Sequence, residues 1–199
     1  MKLYLIRHGE SMANLKNAHA GWAQVPLSPK GFEQAKLAGH FLRKIEFDKI
    51  YSSDLIRAKQ TALTALPNCE FEETELLREI GVGELSGKTP SECEQQYGKR
   101  YTDAHSAFDF TTFGGENSMM HRKRAIDFLN MVSNDDKQCV AAFSHAGTIR
   151  EMSGHICGGN VPRTAFRISN CTVYGFEYEN GVWRISLVLP TEYISIAKE

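Results

Sequence analysis

Cys139-Val140-Ala141-Ala142-Phe143-Ser144-His145-Ala146-Gly147-Thr148 is an apolar run that ends abruptly at a histidine and a glycine. Its apolar part is short, as strands are, and has no polar face, so it reads as a strand buried on both sides. The residues from Gly147 to Ile156 have helical character. The segment is therefore strand, tight turn and helix. A strand covered on both faces needs a layer above and a layer below, which calls for a mainly parallel sheet clothed by helices.

The same alternation recurs outward from this segment. Lys2 to Arg7 is a second short apolar run. Ser28 is placed as an N-cap with Pro29 in the first helical position, and Phe32, Ala35, Ala38, Leu42 and Ile45 follow at helical spacing. Lys49 to Ser53 reads as a strand, Asp54 as the cap of a helix from Leu55 to Leu66, and Phe71 to Leu77 as another strand. Met119 to Val132 carries Ala125, Ile126, Leu129 and Val132 on one helical face. Cys171 to Tyr178 and Trp183 to Leu189 flank Asn180-Gly181, the turn pair of a β-hairpin. The expectation is a three-layer α/β/α sandwich around a mostly parallel sheet, in one domain over 1–199. The stretch 88–117 fits the alternation poorly. A helix near Ser91 to Tyr97 and an irregular, aromatic-rich region from Tyr101 to Phe113 are expected to form a small cap, sealed by Phe108, Phe110 and Phe113.

The chain has 199 residues with 23 Lys plus Arg against 24 Asp plus Glu, so no global field attracts nucleic acid or an anionic membrane. No apolar run approaches the ~20 residues of a membrane span, and the N-terminal apolar stretch is too short for a secretory signal. Five scattered cysteines without a CxxC pair favour neither a disulfide framework nor a structural zinc site. A cytoplasmic protein is expected. The edge of the terminal hairpin leaves a monomer or a homodimer open.

Three segments share one arrangement, in which a strand ends and a cationic or nucleophilic side chain follows at once. They are Leu5-Ile6-Arg7-His8-Gly9-Glu10-Ser11, Ser52-Ser53-Asp54-Leu55-Ile56-Arg57-Ala58 and Phe143-Ser144-His145-Ala146-Gly147-Thr148. Ligands of open α/β sheets bind outside the carboxyl ends of the strands, where these three segments would converge. Arg57 and Gly147 fall in first helical turns, which attract anions. Two arginines, two histidines and two helix starts describe a pocket for a tetrahedral dianion, and phosphate fits best. The imidazole of His8 would stand beside the phosphorus, with Gly9 accepting its other ring N–H. Leu77-Arg78-Glu79 adds a carboxylate able to protonate a leaving alkoxide.

Arg7-His8-Gly9-Glu10-Ser11 with Asn14 resembles the signature of the histidine phosphatase superfamily, the phosphoglycerate-mutase-like fold. The resemblance extends in family order through Pro26-Leu27-Ser28-Pro29-Lys30-Gly31, Ser52 to Ala58, Leu77-Arg78-Glu79 to Gly87, Gly114-Gly115-Glu116, and Ser144-His145-Ala146-Gly147. It implies that His8 is the phosphorylated nucleophile, that Arg7, Arg57 and His145 hold the phosphoryl oxygens with help from Asn14, and that Glu79 is the proton donor. It also implies that no metal or other cofactor is needed and that the partner is a small phosphorylated substrate. The pattern leans to the phosphatase branch, with a mutase or a phospho-ligand-binding module as alternatives. Gln24 departs from the family, which has an aspartate there. His19, His40, His105, His121 and His155 are read as structural or solvated, and Arg122-Lys123-Arg124 as a solvated helix face.

Overall fold

β1 (Lys2–Arg7), β2 (Lys49–Ser52), β3 (Glu72–Glu73), β4 (Cys139–Ser144), β5 (Val173–Glu179) and β6 (Val182–Leu189) form one sheet in the order β3-β2-β4-β1-β5-β6. The structure, a computed structural model, describes residues 1–159, 162 and 165–194. The first four strands along the sheet from β3 to β1 are parallel, and β5 and β6 add an antiparallel hairpin beside β1. The expected α/β architecture with a mostly parallel sheet is what the chain adopts. β4 lies between β1 and β2 and is covered on both faces, as its unbroken apolar sequence requires.

α2 (Pro29–Leu42) and α3 (Ile56–Ala65) cover one face, where Ile6, Ala141, Phe143 and Val173 meet Ala35, Ala38, Leu42, Ala58 and Ala62. α6 (Ser118–Ser133) and α7 (Ala146–Ile156) cover the other, packing Phe128, Leu129, Ile149 and Met152 on Leu3, Leu5, Val140 and Ala142. Period-2 alternation along β1 and β4 sends side chains to each layer in turn. Short helices α1 (Met12–Leu15) and α8 (Thr191–Ile194) complete the ends of the sandwich.

α4 (Pro90–Tyr97) and α5 (Lys99–Ala107) form a third, smaller cluster, in which Leu85, Cys93, Tyr101, Phe110 and Phe113 are buried together. Phe110 and Phe113 do seal this region against the body. The irregular stretch expected from Tyr101 is instead largely helix. Gly98, at φ +52°, breaks the chain between two helices, and Tyr101 and Ala104 bury one face of the second.

Two further expectations are corrected. The strand placed at Phe71 to Leu77 is only two residues long, because Thr74 turns the chain into a 3-10 helix and sends Leu77 into the core. Asp54 does not cap α3. Its carboxylate takes the guanidinium of Arg78 at 2.8 and 3.1 Å, and the first N–H of α3, on Ile56, donates to Gln24 Oε1 at 2.8 Å. The side chain that departs from the family pattern thus caps a helix start.

Candidate active site

The register of the sheet assembles the site. Arg7 pairs with Ser144 across β1 and β4, and Ser52 with Phe143 across β2 and β4. One residue further along, His8, Ser53 and His145 leave the same sheet edge side by side. The rings of His8 and His145 are 5.1 Å apart. His8 Nδ1 lies 2.6 Å from Gly9 O, which makes Nδ1 the protonated nitrogen and leaves Nε2 with its lone pair. Gly9 presses so closely on the start of α2 that a Cβ there would lie 2.4 Å from Gly31 O. The loop therefore has one path out of β1.

Arg57 is fully buried, with its guanidinium donating to Gly21 O at 2.8 Å and Ala23 O at 3.0 Å. Arg7 donates to Ile168 O at 2.7 Å. Arg7 Nε, Arg57 Nε and His145 Nδ1 are buried without a hydrogen-bond partner among the described residues. Buried cationic and imidazole nitrogens without a partner are costly unless a ligand satisfies them. Burial pushes Arg57 down to about 10, which still leaves it charged at neutral pH. Burial, and then Arg57 and Arg7, press His8 well below the ordinary imidazole range, and burial, Arg57 and His8 do the same to His145. His8 is therefore a neutral base.

Asn14 lines the same cleft, its Oδ1 taken by the N–H and Oγ of Ser11, both at 3.1 Å. The cleft holds about 230 Å³ between Arg7, His8, Arg57, Glu79 and the chain from Ala18 to Gly21. Glu79 is the carboxylate that reaches it, since Glu84 is exposed and Glu116 is bound to Arg124. Burial raises the Glu79 carboxyl, but His121, the N–H groups of Gly147 and Ile80, and Arg57 together hold it below the ordinary range. The Gly147 N–H donates to Glu79 Oε2 at 2.9 Å, so this helix start serves the carboxylate. A Cβ on Gly147 would lie 2.0 Å from Glu79 Oε1.

Several residues of the site were not singled out by the sequence. Ser53 Oγ lies 2.9 Å from His145 Nε2 and fixes that ring. Asn170 donates to His8 O at 3.0 Å. His121, read as structural, is fully buried, 2.9 Å from Thr148 Oγ1 and 3.8 Å from Glu79 Oε1. Arg124 corrects the reading of a solvated basic face. Its guanidinium donates to the carbonyls of Glu75, Leu76, Arg78 and Glu79 at 2.7 to 3.1 Å, and holds Glu116 at 2.8 Å. Lys123 does face solvent, with Asp127. No sequence spacing signals Arg124, because its backbone partners are four carbonyls of the distant stretch Glu75 to Glu79.

The buried histidines make stability depend on pH. Their folded values lie below the ordinary 6.5, so the unfolded chain binds more protons than the fold as pH drops below that value. Unfolding free energy should be highest above pH 6.5 and decline below it, by up to about 1.4 kcal/mol per pH unit for each histidine. Urea midpoints at pH 7.5 and 5.5 check this, and a midpoint that does not move would contradict neutral burial.

A cationic crevice at the joined carboxyl ends of parallel strands, floored by neutral imidazoles, places the chain among the α/β enzymes that handle phosphoryl groups. Residues 3–189 match the histidine phosphatase superfamily (branch 1), and the chain belongs to that family. It is 32% identical over 168 residues to a broad-specificity phosphatase of Saccharomyces cerevisiae, which covers 75% of this chain and 67% of the yeast protein. It is 42% identical over 105 residues to a 2,3-bisphosphoglycerate-dependent phosphoglycerate mutase of Streptococcus thermophilus, a match spanning 49% of this chain and 46% of the mutase. Among solved structures, an α-ribazole phosphatase from Shigella flexneri superposes with a TM-score of 0.86 at 23% identity, over 96% of this chain and 97% of that one, a likeness of fold. A phosphoserine phosphatase from Entamoeba histolytica superposes at 0.78 with 26% identity, over 96% and 98%. The family and its phosphatase relatives make this chain an enzyme of the phosphatase type.

Proposed function

We propose that the protein hydrolyses the phosphomonoester of a small metabolite through a phosphohistidine formed on His8, without a metal ion. The observation that carries this reading is the His8 imidazole, locked by Gly9 O with Nε2 available, beside Arg7, the fully buried Arg57 and His145. The phosphate would lie against Arg7, Arg57, His145 and Asn14. His8 Nε2 attacks phosphorus in line as the P–O bond to the leaving group breaks. Glu79, protonated once the bound dianion raises its pKa, gives its proton to that oxygen. Water, losing a proton to Glu79, then cleaves the P–N bond, releases phosphate and restores neutral His8. The arginines stabilise charge on the equatorial oxygens, the role a divalent cation takes in other phosphoryl transfers. The 88–117 segment covers the leaving-group side, and the five free cysteines suit the reducing cytoplasm.

The roles of His8 and Glu79 can be separated. Glu79→Gln should lower kcat on an alkyl phosphate by about 10²- to 10⁴-fold and on 4-nitrophenyl phosphate far less, because nitrophenolate leaves without a proton. Excess chelator should change neither rate. Equal losses on both substrates would remove Glu79 from the acid role. The likeness to the streptococcal mutase favours a second reading, in which the phosphoryl group returns to another hydroxyl. Isomerisation of a phosphorylated sugar acid, with no free phosphate, would select it.

A further inference from the structure

Apart from Arg7, His8, Asn14, Arg57 and Glu79, the cleft is lined by Ala18, His19, Ala20, Gly21, Ile80 and Val82, which on the proposed function face the leaving group. None of these carries a fixed charge. His19 is tied into the cap, its Nε2 2.9 Å from Tyr101 Oη and its ring 6.0 Å from that of His105. Burial and His105 keep it below the ordinary imidazole range, hence neutral at pH 7.5.

Three cations of the neighbouring segments are already committed. Arg78 lies 5.0 Å over the Trp22 ring and is held by Asp54 and by Glu75 at 2.9 Å. Lys88 donates to Glu84 O at 2.6 Å, and Arg124 is bound to Glu116 and to loop carbonyls. Among the described residues lining the cleft, Arg7 and Arg57 are the only Lys or Arg, and on the proposed function both hold the phosphate. A second anionic group on a substrate would thus lose water beside methyl groups, with no further cation among the described lining residues to receive it and with Glu79, of the same sign, in the same cleft.

We propose that the site takes phosphomonoesters whose phosphate is their only anionic group, with an uncharged alcohol resting on Ala18, Ala20, Ile80 and Val82. This rests on the reading of the cleft as a phosphomonoester site and goes beyond it by fixing the charge of the leaving group. Phosphorylated carboxylic acids and bisphosphates are then poor ligands, which also opposes the mutase reading.

The test is binding of a matched pair, glycerol 3-phosphate and 3-phosphoglycerate, which differ by a hydroxymethyl group against a carboxylate. Calorimetry on His8→Ala at pH 7.5 should give a Kd at least about tenfold lower for glycerol 3-phosphate. Ala20→Lys in the same background should bring the two values together. Should His8→Ala fail to fold, the phosphonate analogues of the pair on the wild-type protein supply the same ratio. Equal affinities, tighter binding of 3-phosphoglycerate, or no millimolar binding of either would overturn the proposal. Turnover of 4-nitrophenyl phosphate by the wild-type protein reports separately on the phosphatase reading. A protein that hydrolyses it yet prefers 3-phosphoglycerate keeps that reading and loses the charge rule.

Discussion

Turnover of 4-nitrophenyl phosphate by His8→Ala should fall to the buffer background, a loss of at least about 10⁴-fold in kcat. The size of the effect follows from the position of His8. Its Nε2 is the one unprotonated ring nitrogen that geometry presents next to both arginines, since Nδ1 is taken by Gly9 O. His145 is no substitute on this reading, because with Ser53 Oγ donating to its Nε2 the proton lies on Nδ1, which then donates to the phosphate rather than attacking it. Rapid quenching of the wild-type protein into alkali should trap a phosphoryl group on the chain, and the same quench of His8→Ala should trap none. Residual activity within tenfold of wild type would show that water attacks phosphorus directly.

Arg57→Ala should lower kcat/KM by about 10³-fold and abolish the thermal stabilisation produced by inorganic phosphate. Two opposing changes act on the free protein. Gly21 O and Ala23 O lose a donor, worth about 1–3 kcal/mol each, while a fully buried cation is removed, which recovers a desolvation cost of similar order. The melting temperature without phosphate should therefore move less than the phosphate response does. That contrast is the readout. A variant whose melting temperature still rises with phosphate as in the wild type would show that Arg57 holds the loop and not the anion.

Arg7, His8, Arg57 and His145 were legible for one physical reason. Each ends a strand, follows a strand end directly or lies in the first helical turn after one, so local sequence alone places it at the ligand edge of a parallel sheet. Gly9 as partner of the His8 ring was legible for the same reason, being the next residue along. Glu79 was legible as a carboxylate after an apolar stretch, although that stretch is a 3-10 helix and not the expected strand.

The contacts that tune these groups were not legible, because each joins segments distant in the chain. Ser53 meets His145 across 92 positions, Gly147 meets Glu79 across 68, and Arg124 grips the Glu79 carbonyl across 45. Nothing in the run around Arg124 distinguishes it from a solvated arginine on a helix, and Ser53, though placed at a strand end, carries no local sign of its partner. His121 is the sharpest case. Its neighbours Met120 and Arg122 belong to an ordinary amphipathic helix, and only the packing of α6 on α7 buries its ring beside Thr148 and Glu79.

The amino-acid sequence by itself determined the alternation of the main strands and helices, the parallel core and the cations at its edge, because apolar periodicity and strand-end position are local properties. Tertiary structure decided how those groups act. The register of β1, β4 and β2 sets the two imidazoles 5.1 Å apart, and burial among arginines strips them of protons. Charge state and distance depend on what the fold brings near and how much water it excludes, and neither is written in any short stretch of chain.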